Sequence, residues 1–529
     1  MQDTLTKREI VEHFLKEGVL LSADVLEKIS NKLTLRELTK LLSEKTSSQE
    51  ILTITDDIQQ LLQKKKRLNI NWQEFEKARV QFEKNRNIEV YNKFMQYMDL
   101  ADEPELDKPR GSIKVLFSYT EKSRKREIKD FVAFFNARYK AIEKMLLGRQ
   151  ELQNTTSISR ILQKKDRETV SVIGIVKDKQ YTKNNNIMLE VEDPTGTIRV
   201  VISKNKPELY NAAKEIIHDE VIGVIGTSGD RIIFSNKLVW PDIPYTKELK
   251  KAPDKAYAVF LSDIHVGSTK FLPEEFNKFL KWLNGTAGND AQREIAQHVK
   301  YIFIVGDLVD GIGIYPTQES ELEIKDIYEQ YSRCAELLQQ IPKHIPIIIC
   351  PGNHDAVRIA EPQPPLDREF AKPLWKLPNV VMVSNPSMVN IHSTEDFPGF
   401  NVLLYHGYSF DYYVANVDTI RLRGGYDRAD LIMQFLLQRR HLAPTHTSTL
   451  YIPDPDKDPL VIETAPDFFI TGHIHKSSVS NYRNVTLISG SCWQSKTTFQ
   501  EKVGHHPEPC RVPIVDLQTR NVKILKFLD

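Results

Sequence analysis

The sequence predicts a multidomain protein, with a small α-helical domain at the N-terminus, a β-barrel in the middle and an α/β domain at the C-terminus. Three observations support this prediction. The chain has 529 residues, whereas one hydrophobic core seldom serves more than about 250–300 residues. Near Thr169 the spacing of apolar residues changes from helical to alternating, and after Pro253 strands alternate with helices. We place the domains at residues 1–70, 155–247 and 252–529, with a charged linker and a helix at residues 71–150.

The composition limits the classes of function. Lys and Arg number 72 against 71 Asp and Glu, a formal net charge of +1, so any affinity for nucleic acid must come from local basic patches. No apolar run approaches the roughly 18 residues that span a bilayer, and we expect a cytoplasmic protein without membrane contacts. Four scattered cysteines without a CxxC pair argue against a disulfide framework and against a cysteine zinc site; they are Cys334, Cys350, Cys492 and Cys510.

Residues 1–45 predict three short amphipathic helices. The third is signalled best, because Thr34 and Glu37 form a capping box at the start of a leucine-rich face. Such a bundle serves either as a docking module or as a small helical domain of no transferable function. Residues 46–110 are polar and contain few signals for the start or end of a helix or strand, which predicts a linker that is partly helical and partly disordered.

A strong helix is predicted at residues 123–147. One stripe of this helix carries Ile128, Phe131, Phe134 and Phe135. Aromatic residues at this spacing are typical of a surface that faces the core. The first turn is basic at residues 124–126, and this cluster fits either contact with a phosphate backbone or a solvated helix face, which is the commoner explanation.

The middle segment from about Thr169 to Trp240 predicts five short strands with a helix after the third. This count and order match an OB-fold, a small Greek-key barrel. Many OB barrels bind single strands through basic and aromatic side chains on one face. Here that face carries few basic or aromatic residues, so a structural spacer role is at least as well supported. The candidates for contact with nucleic acid are Lys177, Lys179, Tyr181, Lys183 and Arg199.

Polar motifs follow five apolar segments of the C-terminal domain, at the points where the predicted strands end. Open α/β sheets place their functional sites at the carboxyl ends of strands. A lone histidine at a strand end is usually a hydrogen-bonded structural residue, but that explanation weakens when five strand ends carry such motifs. The motif residues are Asp263 and His265; Asp307 and Asp310; Asn353, His354 and Asp355; His406; and His473 and His475.

The residue types in these motifs predict a metal site. Carboxylate, imidazole and amide ligands together suit Mn²⁺, Fe²⁺ or Zn²⁺ and are unlike a thiolate-rich structural zinc site. Two such ions roughly 3.5–4 Å apart can polarise a phosphoryl group and activate a nucleophile for in-line attack. The motifs therefore predict hydrolysis of a phosphoester.

The order DxH, GDxxD, GNHD, HG and GHxH resembles the calcineurin-like metallophosphoesterase superfamily, and the resemblance runs from about Ala252 to the C-terminus. It implies a two-sheet sandwich flanked by helices. The ligands that it implies are Asp263, His265 and His475 for one ion, Asn353, His406 and His473 for the other, and Asp307 as a bridge between them. Asp307 directly follows Gly306, a residue that permits a tight turn.

The same resemblance implies a catalytic role for His354, which would stabilise the phosphoryl oxygens of the transition state or protonate the leaving oxygen. Asp355 would fix the tautomer and orientation of His354. We assign Asp310 to support of a ligand, although a loop cap explains it equally well. We expect Mn²⁺ at both positions; Fe²⁺, Zn²⁺ and Mg²⁺ also suit the ligand set.

Differences among the motifs narrow the substrate. Protein Ser/Thr phosphatases of the superfamily carry GDxVDRG and GNHE, whereas this chain has Gly311 where the Arg of the first motif would stand and ends the second motif in Asp355. These differences favour the nuclease branch. Double-strand-break repair nucleases share the GDLxD and GNHD forms, but they begin with the phosphoesterase domain, whereas about 250 residues precede it here.

The segments VEDPTGTIRVVI, ADLIMQFLLQRRHLAPTH and PLVIETAPDFFITGHIHKSS resemble the small-subunit family of archaeal family D DNA polymerases, from about residue 110 to the end. The resemblance implies a 3′–5′ exonuclease that proofreads for a separate large catalytic subunit, acts on DNA 3′ ends and reaches a sliding clamp through the complex. Related second subunits of eukaryotic polymerases have lost their metal ligands, whereas every expected ligand position is filled here. The alternatives are a scaffold with a vestigial metal site and a repair-type metallonuclease.

Three features near the C-terminus fit either a partner surface or ordinary structure. Trp493 and the proline-containing stretch at residues 507–509 lie where a partner could pack, but burial in the core is the commoner outcome for Trp. His505 and His506 follow the last ligand motif without accompanying carboxylates, and we expect them at the surface.

Overall fold

The computed structural model describes residues 112–120, 125–164, 166–502 and 504–528. The predicted N-terminal helices, the capping box at Thr34 and the predicted linker as far as residue 111 lie outside these residues. Within the described residues, no helix combines the length and the apolar character needed to cross a bilayer. The four cysteines are buried free thiols.

The strands are β1 (Ser112–Ser118), β2 (Thr169–Tyr181), β3 (Ile187–Asp193), β4 (Gly196–Ile202), β5 (Val221–Gly229), β6 (Ile232–Val239), β7 (Tyr257–Leu261), β8 (Val299–Val305), β9 (Ile347–Cys350), β10 (Val380–Met382), β11 (Ser387–Ser393), β12 (Phe400–Leu404), β13 (Phe468–Thr471), β14 (Ser478–Tyr482), β15 (Val485–Ser489), β16 (Arg511–Asp516) and β17 (Val522–Lys526). β1 lies in the region where the sequence predicted only linker and helix.

The helices are α1 (Ile128–Leu147), α2 (Ile158–Gln163), α3 (Pro207–Lys214), α4 (Pro273–Leu283), α5 (Asp290–Gln297), α6 (Ile327–Leu338), α7 (Lys372–Trp375), α8 (Phe410–Asn416), α9 (Asp418–Leu422), α10 (Ala429–Arg439) and α11 (Thr498–Lys502). Short 3-10 helices lie at Gln150–Leu152, Gln318–Glu321, Gly425–Arg428 and His446–Ser448.

Strands β2 to β6 close into a barrel in the order β2-β3-β4-β6-β5. The helix after the third barrel strand is α3, so the predicted OB-fold is confirmed. Alternating residues of β3 and β4, such as Leu189 and Val200, fill the barrel interior. Two predicted nucleic-acid contacts have structural partners, because Lys179 Nζ donates to the main-chain oxygens of Lys214 and Ile216 and Lys177 pairs with Glu190 at 2.9 Å.

The C-terminal region contains two six-stranded mixed sheets. The first has the order β10-β9-β8-β7-β16-β17, in which β7 to β10 are parallel. The second has the order β1-β11-β12-β13-β15-β14, in which β12, β13 and β15 are parallel. Buried side chains of both sheets, including Phe260, Phe303 and Phe468, form one apolar layer between them.

The outer face of each sheet is covered by helices. Apolar residues of α4, α5 and α6 pack on the first sheet, with Trp282 and Tyr331 among the buried side chains. Residues of α8 and α10 pack on the second sheet. The arrangement is therefore helix, sheet, sheet, helix, which places the carboxyl ends of the parallel strands of both sheets within reach of one site.

Helix α1 lies between the barrel and the second sheet. Phe134 belongs to the core of the second sheet, whereas Tyr139, Ile142 and Leu146 pack with barrel residues. The prediction of a core-facing stripe was wrong for Ile128 and Phe131, which are 85% and 37% exposed. The buried face differs from the predicted stripe because it includes the charged residue Arg138, whose burial is compensated by an ion pair with Asp458.

Candidate metal centre

The predicted motif residues follow five strands that all end at the site. Asp263 and His265 follow β7, Asp307 and Asp310 follow β8, Asn353 to Asp355 follow β9, His406 follows β12, and His473 and His475 follow β13. β7, β8 and β9 are parallel neighbours in the first sheet, and β12 and β13 are parallel neighbours in the second. The strand-end placement predicted from the sequence is confirmed, and it brings all of these side chains together.

One group of potential ligands consists of Asp263, His265 and His475, all of which are buried. The Nε2 atoms of the two histidines lie 3.1 Å apart. Asp263 Oδ1 lies 3.3 Å from His475 Nε2. One nitrogen or oxygen atom from each residue therefore points to a common position, and these three atoms lie within 4.8 Å of one another.

A second group consists of Asn353, His406 and His473. The amide oxygen Oδ1 of Asn353 lies 3.0 Å from His406 Nε2 and 3.0 Å from His473 Nδ1. The other nitrogen of each ring is held in place, since His406 Nδ1 contacts the main-chain oxygen of Val305 at 2.9 Å and His473 Nε2 contacts Asp411 Oδ2 at 3.0 Å. The remaining nitrogen of each ring therefore faces the amide oxygen of Asn353.

Asp307 lies between the two groups. Its Oδ2 is 3.2 Å from His406 Nε2 in the second group and 3.9 Å from His265 Nε2 in the first. Its Oδ1 accepts a hydrogen bond from the main-chain nitrogen of His354 at 2.8 Å. A single carboxylate therefore faces both groups.

The backbone at the strand ends is bent to aim these side chains. Residues with a left-handed backbone conformation are Asp263 (φ 51°), His265 (φ 55°), Asp307 (φ 52°), His473 (φ 70°) and His475 (φ 58°). This conformation is uncommon outside glycine and concentrates at functional sites. Gly306 also has a positive φ of 82°, and a Cβ atom there would collide with the ring of His406.

The donor atoms in both groups fit a pair of divalent cations. Imidazole nitrogens and carboxylate oxygens bind Zn²⁺-sized ions at about 2.0–2.2 Å, so ligand atoms that share an ion lie a few ångströms apart, as they do here. In the first group the two histidine Nε2 atoms lie 3.1 Å apart, a distance at which one neutral ring can donate an N–H to the other. When both rings adopt the tautomer that leaves Nε2 unprotonated, the same two nitrogens can instead bind a cation together.

Asp307 and His406 change each other's pKa. Burial disfavours protonated His406, but the Asp307 carboxylate outweighs burial and raises the pKa of His406 to about 10. Despite its own burial, Asp307 has a pKa well below the usual range because of the charge on His406. Burial, reinforced by the charge of Asp307, raises the pKa of Asp355 to about 7. Asp307 is therefore the carboxylate of this cluster that most favours the charged form.

The support of His354 differs from the prediction. Its Nδ1 lies 2.7 Å from the main-chain oxygen of Asp310, so the expected role of Asp355 in fixing this ring was wrong. Asp355 instead accepts hydrogen bonds from the main-chain nitrogen of Gly352 (2.9 Å) and from Tyr331 Oη (3.2 Å). Asp355 therefore stabilises the turn after β9, whereas the main-chain oxygen of Asp310 orients the ring of His354.

Several residues around the ligands were not found by the sequence analysis. Gln494 and Gln318 donate to the two carboxylate oxygens of Asp310 at 2.8 and 2.9 Å, and Asp310 Oδ1 lies 3.2 Å from His265 Nδ1. Gln500 Nε2 lies 2.9 Å from His475 Nδ1. Gln494 follows the parallel strand β15 and Gln318 lies in the loop after β8, but neither belongs to a motif of carboxylate and imidazole residues, and Gln500 lies in α11, so the motif signal that identified the candidate ligands does not reach them.

Most of the residues near the C-terminus that were considered for a partner surface make contacts within the protein instead. Trp493 is buried and packs on Phe276, with ring centroids 4.8 Å apart. His506 is exposed as expected, but His505 is only partly exposed and lies over the ring of Tyr426 at 4.1 Å. Residues 507–509 are half-buried. Trp493 thus belongs to the core and offers no surface to a partner.

Two families match separate parts of the chain. Residues 258–480 match the B-subunit family of DNA polymerases alpha and epsilon. Residues 170–235 match the OB-fold nucleic acid binding domain, which agrees with the closed barrel. The first match includes every residue of both ligand groups.

Curated archaeal relatives match a larger share of the chain. The DNA polymerase II small subunit of Methanothermobacter thermautotrophicus is 40% identical over 401 residues, which is 76% of this chain and 80% of that protein. The same subunit of Archaeoglobus fulgidus is 40% identical over 76% of this chain and 78% of that protein. The Pyrococcus furiosus subunit is 39% identical over 76% of this chain, and the matched part is 64% of its length.

Proposed function

This chain belongs to the family of DNA polymerase II small subunits, and from that premise we propose that it is the proofreading 3′–5′ exonuclease and an assembly subunit of an archaeal replicative DNA polymerase. The observation that supports the catalytic part is the convergence of the two ligand groups on Asp307. A vestigial site would be expected to lack some of these ligands, whereas all seven predicted ligand residues are present at one place.

The proposed reaction is hydrolysis of the last phosphodiester of a DNA strand. Two divalent cations, for which we propose Mn²⁺, would polarise the phosphoryl group and activate the attacking water when bound by the two groups. The water oxygen bonds to phosphorus and releases one proton to solvent. The bond from phosphorus to the 3′ oxygen of the preceding nucleotide breaks, and its electron pair stays on that oxygen. The products are a nucleoside 5′-monophosphate and a strand with a new 3′-hydroxyl.

His354 is the proposed source of the proton for the leaving 3′ oxygen. Its Nδ1–H donates to the main-chain oxygen of Asp310, which leaves Nε2 to act on a substrate, and Nε2 carries the proton that it transfers when the ring is an imidazolium. The ring lies 4.6 Å from the ring of His265 in an edge-to-face arrangement, so it borders the first ligand group. A group at this position can donate to the leaving oxygen or hydrogen-bond a phosphoryl oxygen.

The catalytic proposal is tested by the variants Asp307→Asn and His354→Asn on a primer with a mismatched, labelled 3′ end. We expect digestion with Mn²⁺ to slow by at least about 1000-fold in each variant, a change of about 4 kcal/mol in the activation free energy. Release of the labelled mononucleotide before any longer labelled fragment appears establishes the 3′–5′ polarity. Metal content, measured by mass spectrometry, should fall in Asp307→Asn.

Matched controls are Asp290→Asn and His344→Gln, which change an exposed carboxylate and an exposed imidazole away from the motif residues. Both should digest the primer at the parental rate. Undiminished digestion by a folded Asp307→Asn protein would refute the metal-centre assignment. A parental protein that binds no metal and digests nothing when Mn²⁺ is supplied would instead favour the scaffold alternative.

The assembly part of the proposal rests on the family, whose name denotes a small subunit. We propose a separate large catalytic subunit as the partner, with DNA 3′ ends as the substrate of the complex. Capture of the full chain from a native extract, followed by identification of the bound proteins, tests this proposal. Capture of a stable complex without a polymerase subunit would favour a free-standing repair nuclease.

A further inference from the structure

Two aromatic rings from different segments stack beside the metal centre. Tyr315 lies in the loop after β8, and Phe499 lies in the short helix α11 near the C-terminus. Their ring centroids are 5.3 Å apart and their planes differ by 26°, which is a stacked geometry. Neither residue contributes a ligand atom to the two groups described above.

The position of the stack is set by contacts to the metal centre on both sides. The ring of Tyr315 lies 6.4 Å from the ring of His354. Gln500, the neighbour of Phe499, contacts His475 Nδ1 at 2.9 Å. The stack therefore borders both the proposed proton donor and a ligand of the first group.

Hydrogen bonds to Glu321 join the two segments. The Oε2 atom of Glu321 accepts from Tyr315 Oη at 3.0 Å. Its Oε1 atom accepts from the main-chain nitrogen and the hydroxyl of Thr498 at 3.1 and 2.7 Å. One carboxylate thus holds Tyr315 and Thr498, the neighbour of Phe499, so the stacked arrangement is preorganised and costs little further ordering when something binds to it.

Phe499 remains accessible although Tyr315 covers one face of its ring. Its side chain is 45% exposed, and Tyr315 is half-buried. A nucleobase offers a flat π surface that stacks on such a ring, and this contact tolerates all four bases because each has a π face.

We propose that Phe499, supported by Tyr315, stacks on the base of the terminal nucleotide whose phosphodiester is hydrolysed. This inference deepens the proposed exonuclease function and rests on it. A base can stack there only after it has left the duplex stack, so Phe499 would make the site specific for unpaired ends. Phe499 is then a specificity-determining residue, whereas Tyr315 and Glu321 act by positioning it.

The test compares two single strands that differ only in the terminal nucleotide, one with a normal base and one abasic. We expect the parental full chain to show a kcat/KM about tenfold higher for the strand with the terminal base. In Phe499→Leu this ratio should fall to near one, because leucine is apolar but presents no flat face. Phe499→Tyr should restore the ratio.

The matched control is Tyr245→Leu, since Tyr245 is an exposed aromatic residue packed over Arg483. Arg483 lies in the turn between β14 and β15, at the amino end of β15 and opposite the carboxyl ends that carry the ligands. This variant should keep the parental ratio. Circular dichroism of each variant verifies folding.

The outcomes separate this inference from the proposed function. An equal loss on both strands, with the ratio unchanged in Phe499→Leu, would mean that Phe499 is only structural and would overturn the inference. If the parental chain hydrolyses neither strand, the exonuclease proposal fails. Fluorescence anisotropy of the same labelled strands then decides the stacking inference, which requires weaker binding of the abasic strand and loss of that difference in Phe499→Leu.

Discussion

Two buried clusters of Asp and His side chains in this molecule differ in how many potential ligand groups they bring together. One is the metal centre formed by the two ligand groups and Asp307. The other, the helix anchor, consists of Arg138 on α1 with Asp458 and His441. In the helix anchor, Asp458 Oδ2 lies 2.6 Å from Arg138 Nε and 2.8 Å from His441 Nε2, so each acceptor faces donors. In the metal centre, two histidine nitrogens face each other at 3.1 Å.

This difference separates a structural role from a binding role. The helix anchor is complementary within itself, and Ala443 donates its main-chain N–H to His441 Nδ1, which fixes the neutral tautomer with the proton on Nε2. The metal centre instead gathers carboxylates and imidazoles from five strand ends. Burial raises the pKa of Asp263, but the neighbouring His475 outweighs burial and lowers that pKa. A complementary cluster holds two elements together, whereas convergent electron-pair donors favour the binding of a cation.

The largest expected effect is on the helix anchor. Arg138→Met should lower the free energy of unfolding by about 3–5 kcal/mol, because it leaves Asp458 as a buried charge without its cation. Chemical denaturation measures the change, and the folded variant should still bind Mn²⁺. Lys140→Met, on the exposed side of the same helix, is the matched control and should change stability little. Loss of Mn²⁺ binding in folded Arg138→Met would contradict the separation of the two clusters.

The next effect concerns acid stability. Burial lowers the pKa of His441 to about 4, against about 6.5 in an unfolded chain. Between these values the unfolded state binds the proton and the folded state does not, so stability falls as the pH drops from about 6.5 to 4, by about 3 kcal/mol in total. His441→Gln should remove this part of the pH dependence.

Unfolding measured at several pH values tests this expectation, with the exposed His344→Gln as the comparison variant. The same slope in His441→Gln and in the parent would show that His441 is not neutral in the folded protein. Despite burial, Arg138 lowers the pKa of Asp458 to about 2, so protonation of Asp458 adds a further loss of stability only below the usual pKa of Asp.

The smallest expected effect is at the border of the metal centre. Asp310→Asn places an amide against the donors Gln494 and Gln318 and beside His265 Nδ1. We expect Mn²⁺ affinity to fall by about 10–100-fold, the usual cost of losing a residue that orients a ligand. Isothermal titration with Mn²⁺ measures it, with Asp290→Asn as the control. Unchanged Mn²⁺ affinity would mean that Asp310 only caps its loop and does not support a ligand.

The comparison also explains where sequence reasoning succeeded. The placement of the candidate ligands was predictable because each follows a short apolar strand, and parallel strands bring their carboxyl ends to one edge. The OB-fold was predictable because period-two alternation and the position of α3 define the barrel order. In both cases local pattern and final environment agree.

Sequence reasoning failed where a distant residue changes the environment of a side chain. The stripe of α1 was misplaced because Asp458, 320 positions further along the chain, allows Arg138 to replace an apolar residue in the core. Asp355 was assigned to its sequence neighbour His354, whereas Asp310, a residue from another loop, orients that ring.

The sequence by itself determined the residue types of the candidate ligands, their order and the strands that carry them, since these depend on local periodicity and residue chemistry. Only the tertiary structure decided which groups face each other. The stack of Tyr315 on Phe499, the support of Asp310 by two glutamines and the burial of Arg138 join residues that are far apart in the chain. Such contacts depend on the packing of two sheets and their loops, and no short-range pattern encodes them.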